Sequence, residues 1–131
     1  SQESALYKEY PNEKQLQYIK ELVRGVANHG PELDQYIAQY AKDWSFARIP
    51  LPAAAIMRVA MYEILYMPDI PAAAAINDAV EIAKKYEDGK VVSFINGILG
   101  AFVRAEFPEQ FQDKKLARAE VEPATEHEEE A

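Results

Sequence analysis

The sequence predicts an all-α fold, and three observations predict it. Apolar residues recur every three to four positions, proline and glycine separate these stretches, and no segment alternates apolar and polar residues as a half-buried strand does. The 131 residues are the size of one ordinary domain. Because 49% of them are hydrophobic, the chain can fill one core, and we predict a helical bundle.

The first predicted helix begins at Asn12, which can form a capping box with Gln15. We expect it to end at Gly30, because glycine suits the left-handed position after a helix and Pro31 cannot continue one. Its apolar stripe is predicted to consist of Leu16, Ile19, Leu22, Val23 and Val26.

Four further helices follow. The second is predicted over 32–43, with Trp44 at its end. The third is predicted over 52–66, because proline suits the first turn of a helix. The fourth and fifth are predicted over 72–86 and 91–105, with a turn at 87–89 between them. The buried face of the third helix is predicted to contain Ile56, Val59, Ala60 and Ile64.

Charge divides the chain unevenly. The net charge is −8, and the segment from Glu106 onward holds nine acidic and three basic residues, against thirteen and eleven in residues 1–105. We therefore predict a polar lead-in over 1–11, a helical domain over 12–106 and an acidic, disordered tail over 107–131. Since nucleic-acid binders usually carry a basic surface, only a local basic patch could bind RNA.

Composition makes most site chemistry improbable. There is no cysteine, and His29 and His127 lie far apart, so we predict no metal site, no cofactor and no catalytic triad. Phosphate-binding loop motifs are absent. Gly97 and Gly100 lie in an apolar helix, where we expect them to permit close helix packing. No apolar run is long enough to span a bilayer. We predict a cytoplasmic protein that is not an enzyme.

Several polar residues stand among apolar ones and must be paired if they are buried. We expect an interhelical network in which Arg58 bonds a carboxylate such as Glu81 and Asn96 satisfies a turn or a helix end. A partner-contacting site is the alternative. The residues concerned are Arg58, Glu63, Asn77, Glu81 and Asn96.

The turn between the fourth and fifth helices combines basic and aromatic residues. Lys85, Tyr86, Lys90 and Phe94 lie around it, together with Lys84. Such a set suits single-stranded RNA, because cations meet phosphates and rings stack on bases. The alternative is a solvated helix end whose lysines complement the helix dipole.

Three segments, in this order and spacing, resemble the NusB family. They are 56–64 (IMRVAMYEI), Ile70-Pro71 followed by 75–86 (AINDAVEIAKKY), and 94–99 (FINGIL). The resemblance implies two packed helical subdomains, binding to boxA-type RNA, pairing with the small-subunit ribosomal protein NusE, and membership of an RNA polymerase antitermination complex.

The resemblance also assigns residues to these roles. By position in the motifs, Tyr86, Lys90, Ser93 and Phe94 would face the RNA. Ala53 and Met57, on the helix that begins near Pro52, would lie toward NusE.

One departure from the family pattern has consequences. The family opens with an arginine-rich helix and a second helix, and this sequence begins without them. We therefore expect either a homodimer or an incompletely covered bundle. Two other functions stay open: a protein-binding module that has lost RNA affinity, or an RNA-binding domain related to that of ribosomal-RNA methyltransferases.

Overall fold

The structure, a computed structural model, describes residues 12–42 and 48–111. Over these ranges it contains helices and no strand, which confirms the all-α prediction. None of these helices is long and apolar enough to cross a membrane. The helices are α1 (Glu13–Asn28), α2 (Gly30–Tyr40), α3 (Leu51–Tyr66), α4 (Ala72–Tyr86), α5 (Gly89–Glu106) and α6 (Pro108–Phe111).

The start of α1 is as predicted, but its end is built differently. The Asn12 side chain accepts a hydrogen bond from the Gln15 backbone N–H at 2.8 Å. In return, the Gln15 side chain accepts a hydrogen bond from the Asn12 backbone N–H at 3.0 Å. At the other end, Gly30 is already the first residue of α2, and no described glycine has a positive φ. The left-handed cap at Gly30 was therefore a wrong prediction. Pro31 instead fits the first turn of α2, where its missing N–H has no helical partner to lose.

Helix α2 is shorter than predicted, and α5 is longer. Helix α2 ends at Tyr40, and the predicted end at 43–44 lies outside the described residues. Helix α5 begins at Gly89, because the Asp88 side chain accepts from the Val91 backbone N–H at 3.0 Å and caps the helix there. Gly89 is therefore helical and not part of the turn.

The core lies between α2, α3, α4 and α5. Helix α3 touches α1, α2, α4 and α5, so most of its circumference is covered. For this reason its buried face differs from the prediction: Ala60 and Ile64 are buried, whereas Ile56 and Val59 are only half-buried. The largest fully buried side chains are Leu33, Ile37, Met57, Met61, Ile76, Ile95, Leu99, Phe102 and Val103.

Helical structure continues past residue 106, where the domain was predicted to end. Phe107 packs against the core and meets the Phe102 ring edge-on, with centroids 6.0 Å apart. Gln110 on α6 accepts from the backbone N–H of Ala72 at 2.8 Å, which ties α6 to the start of α4. Residues 112–131 of the predicted tail lie outside the described residues.

The close helix approach falls at Gly25 and not at Gly97. A Cβ placed on Gly25 would overlap the ring of Tyr62 on α3, whereas a Cβ on Gly97 would meet nothing within 4 Å. The predicted packing role is therefore wrong for Gly97. Sequence spacing alone did not indicate Gly25, because its neighbour comes from a distant helix.

Part of the predicted apolar stripe of α1 faces outward. Leu16, Ile19 and Val23 are 41%, 43% and 65% exposed. Helix α1 contacts the core through Tyr18, Leu22 and Val26, which lie on its inner side. The exposed stripe agrees with an incompletely covered core, and the homodimer stays a prediction.

Candidate nucleic-acid interface

The connection between α4 and α5 brings the candidate RNA-binding residues together. Helix α4 ends at Tyr86 and α5 begins at Gly89, so only Glu87 and Asp88 separate the two helices. This short connection holds the last turn of α4 beside the first turn of α5. Lys85, Tyr86 and Lys90 therefore lie at one end of the helical hairpin. We call this set, with Ser93, the turn surface.

The turn surface is open to solvent and carries available positive charge. Tyr86 is 68% exposed, and Lys85, Lys90 and Ser93 are exposed as well. Neither Lys85 nor Lys90 belongs to an ion pair among the residues that the structure describes. Their ammonium groups can therefore meet a polyanion without first breaking an ion pair.

Lys84 differs from its neighbours because it is already paired. Its ammonium group donates to Glu81 Oε2 at 2.7 Å, and this bond lowers the pKa of the Glu81 carboxyl. Both side chains are well exposed, so the pair is solvated and weak. Glu81 is thus a surface residue, and its predicted place in an interhelical network is wrong.

The two aromatic residues near the turn have different surroundings. Phe94 is half-buried and packs against the core, whereas the Tyr86 ring projects into solvent. A base can reach the face of Tyr86 directly. Phe94 contributes first to the packing of α5, and only its exposed part could contact RNA.

Arg58 pairs with a residue that the sequence did not indicate. Its Nε donates to Asp34 Oδ1 on α2 at 2.5 Å, and both side chains are about one third exposed. The predicted Arg58–Glu81 bond is wrong, because Glu81 lies on the exposed side of α4. Asn77 is also exposed on α4, and Asn96 is buried on α5 and has a partner. The five polar residues therefore do not form one network.

Glu63 is the carboxylate that is buried. The hydroxyl of Tyr18 on α1 donates to Glu63 Oε2 on α3. Burial raises the pKa of Glu63, the Tyr18 hydrogen bond opposes that shift, and the nearby Asp78 on α4 adds to it. Burial and the bond to Glu63 also raise the pKa of Tyr18. Tyr18 and Glu63 thus join α1 to α3 beside α4, and Tyr18 was missed because it lies 45 residues away in sequence.

Ala53 and Met57 cannot be partner-contacting residues. Both are fully buried, because positions four apart lie on one face of a helix and this face of α3 turns inward. The exposed residues at the start of α3 are Leu51, Pro52 and Ala55, and Leu51 is 82% exposed. Any partner that meets this end of α3 would contact these residues instead.

Among the described ranges 12–42 and 48–111, no group of three histidine, aspartate or glutamate residues is placed to hold a metal ion. The turn surface offers two ammonium groups, the Ser93 hydroxyl and the open ring of Tyr86.

Comparison with known proteins gives the family. The model of the NusB family matches residues 1–104. The transcription antitermination protein NusB of Limosilactobacillus fermentum is 45% identical over 100 residues, which are 72% of this chain and 72% of that protein. The protein of the same name from Thermoanaerobacter sp. is 45% identical over 100 residues, covering 76% and 71%. That of Acetivibrio thermocellus is 44% identical over 93 residues, covering 71% and 64%. The chain belongs to the NusB family.

Proposed function

We propose that this chain is a transcription antitermination factor that binds boxA-type single-stranded RNA through the turn surface. The observation that carries the proposal is the 68% exposed ring of Tyr86 beside two lysines that form no ion pair with a described carboxylate. The process, transcription antitermination, is taken from the name of the relatives. The residues indicate the class of ligand, because proteins bind single-stranded RNA by stacking aromatic rings on its bases and placing cations beside its phosphates.

The residues of the turn surface have distinct roles in this proposal. The Tyr86 ring stacks on one base, and Lys85 and Lys90 contact phosphates on either side of it. The Ser93 hydroxyl, one turn further along α5, donates to a phosphate or a base edge. Two phosphate contacts make the affinity salt-dependent, with a log–log slope of about −0.7 for each contact.

We further propose that the ribosomal protein NusE packs on the start of α3. Leu51, Pro52 and Ala55 present an apolar, exposed surface there, which favours contact with a protein rather than with RNA. NusE and RNA bound together would join the elongating RNA polymerase in the cytoplasm, where bacterial transcripts are made. The chain acts by binding in this account, and no catalytic step is assigned to it.

A second candidate is a module that binds only protein. The net charge of −8 favours it, because a negative chain repels RNA at long range. On this alternative the exposed residues of α3 keep their role, and Lys85 and Lys90 serve only as solvated residues near the end of α4 and the start of α5.

Titration of labelled boxA-type RNA, with and without NusE, separates the two candidates. We expect salt-sensitive binding that weakens in the Lys85→Ala/Lys90→Ala variant. The matched control is Lys42→Ala/Arg48→Ala, which removes the same charge from two other exposed positions. Absence of RNA binding even with NusE present, while NusE itself still binds, would establish the protein-only alternative.

A further inference from the structure

A groove lies between α1 and the end of α3, away from the turn surface. It encloses about 650 Å³ and is bordered by the loop over 67–70 that joins α3 to α4. That loop precedes α4, whereas the turn surface follows it. Since α4 has 15 residues that each rise about 1.5 Å, the two regions are about 22 Å apart along the helix. The groove is therefore a separate surface.

One wall of the groove consists of stacked rings. The rings of His29 and Tyr66 are stacked, with centroids 4.4 Å apart and planes inclined by 29°. The Tyr62 ring lies 5.1 Å from that of Tyr66 and is buried against Gly25. Tyr66 is 38% exposed, and both His29 and Tyr66 line the groove, so a planar group from solvent can contact them. Such a wall suits a planar, aromatic ligand group.

The orientation of the Tyr66 ring is fixed by Glu32. The Tyr66 hydroxyl donates to Glu32 Oε1 at 2.6 Å, and His29 Nδ1 lies 3.5 Å from the same oxygen. A single carboxylate on α2 thus bonds Tyr66 and lies beside His29. A ring whose orientation is already fixed in the free protein loses little conformational entropy when a ligand stacks on it.

The facing wall is basic. Lys14, Lys20 and Arg24 of α1 line it, and they are three of the ten basic residues within 12–42 and 48–111. None of the three belongs to an ion pair in the described part of the chain. The lining also contains Glu21 and Asp69, and Glu32 lies beside the rings, so three bases stand against three acids. A chain of net charge −8 thus presents three cations that form no ion pair with a described carboxylate in the groove that holds its ring stack.

We infer that this groove is a second contact for single-stranded RNA. A base stacks on the Tyr66–His29 pair, and phosphates lie against Lys20 and Arg24. Cations alone would also suit an acidic peptide, but the ring stack favours a ligand whose phosphates alternate with planar bases. The inference rests on the proposed function and extends it to the RNA that flanks the boxA-type element.

The test compares two RNAs, the boxA-type element alone and the same element with single-stranded flanks. We expect the intact chain to bind the flanked RNA more tightly and with a steeper salt dependence. In Lys20→Ala/Arg24→Ala the log–log salt slope for the flanked RNA should fall by about 1.4, which corresponds to two lost phosphate contacts. Both substituted residues are exposed on α1, so the fold is retained. The control is again Lys42→Ala/Arg48→Ala.

The ring stack is tested by a matched pair at one position. Tyr66→Leu should weaken binding of the flanked RNA about fivefold or more through the loss of one stacked base. Tyr66→Phe, which keeps the ring but loses its bond to Glu32, should retain most of the affinity that Tyr66→Leu loses.

The outcomes separate this inference from the proposed function. If Lys20→Ala/Arg24→Ala binds flanked RNA with unchanged affinity and slope while Lys85→Ala/Lys90→Ala is weakened, the groove is not an RNA contact and the proposed function stands. If the intact chain binds neither RNA, with or without NusE, both are overturned.

Discussion

The ring of Tyr62 on α3 occupies the space where a side chain at Gly25 on α1 would stand. Tyr62 is buried, and its ring lies 5.8 Å from that of His29 and 5.1 Å from that of Tyr66, so it has little freedom to withdraw. This contact fixes how closely α1 approaches α3. It therefore also fixes the width of the groove between those two helices.

Gly25→Ala should destabilise the chain. The overlap with Tyr62 costs about 1–3 kcal/mol, against the roughly 0.5–1 kcal/mol that alanine contributes over glycine in a helix. The control is Gly97→Ala, which adds the same methyl group at an exposed helical position with nothing within 4 Å and should stabilise by about 0.5–1 kcal/mol. Urea unfolding measures both free energies. Equal stability of the two variants would show that the Tyr62 ring does not pack closely against Gly25 of α1.

Glu63 should make stability depend on pH. Its pKa is raised in the folded state, chiefly by burial, so the folded chain binds this proton more tightly than the unfolded chain. The stabilisation that results is fully present at a pH below the pKa of Glu63 in the unfolded chain. It is lost as the pH rises through the higher pKa of Glu63 in the folded chain. Glu63→Gln is neutral at every pH and keeps an acceptor for Tyr18. Its free energy of unfolding, relative to the intact chain, should therefore increase as the pH rises from about 4 toward 7.

Glu81→Gln is a control for which the expected pH dependence of stability is opposite to that of Glu63→Gln. The pKa of Glu81 is lowered by Lys84, so its small contribution is present above the unfolded pKa and lost on acidification. Glu81→Gln should thus be slightly less stable than the intact chain at neutral pH. A relative stability of Glu63→Gln that does not change with pH would contradict the burial of the ionised Glu63 carboxylate.

Arg58 and Asp34 should show energetic coupling. Their 2.5 Å bond joins α3 to α2 at a partly buried site, for which we expect a coupling free energy of about 1 kcal/mol. A double-mutant cycle with Arg58→Met and Asp34→Asn measures it by chemical unfolding. The same cycle on Lys84 and Glu81, whose side chains are far more exposed, should give a smaller value. A coupling near zero at Arg58–Asp34 would mean that solvent screens this pair as well.

Tyr86 and Phe94 should respond differently to truncation. Tyr86→Ala removes an exposed ring and should weaken RNA binding about fivefold or more while leaving the unfolding free energy unchanged. Phe94→Ala removes a half-buried ring that packs on the core, so it should cost on the order of 2 kcal/mol of stability. RNA titration and urea unfolding of both variants separate stacking from packing. If Tyr86→Ala binds RNA with full affinity, the open ring has no stacking role.

Local features of this fold were predictable from the sequence, and contacts between distant residues were not. The bounds of α4 and the Asn12–Gln15 capping box agree with prediction, because proline and capping residues act on their immediate neighbours. Arg58 and Asp34 are 24 residues apart, and Tyr18 and Glu63 are 45 apart, so periodicity could not pair them. The exposure of part of the predicted apolar stripe likewise depends on which helices pack together.

The turn surface itself lies within a short stretch of sequence, so its composition indicated a site before its geometry was known. What the sequence could not show is which ring is open and which lysine is paired. In the proposed function, those facts favour Tyr86 over Phe94 for stacking, and Lys85 and Lys90 over Lys84 for phosphate contact.

The most direct test of the account is an NMR titration of the isotopically labelled chain with short boxA-type RNA, with NusE present. The account predicts that backbone amide shifts change most over 85–94 and that these changes diminish as salt is added. Saturable RNA binding that leaves the amides of 85–94 unperturbed would contradict the assignment of the RNA site to the turn between α4 and α5.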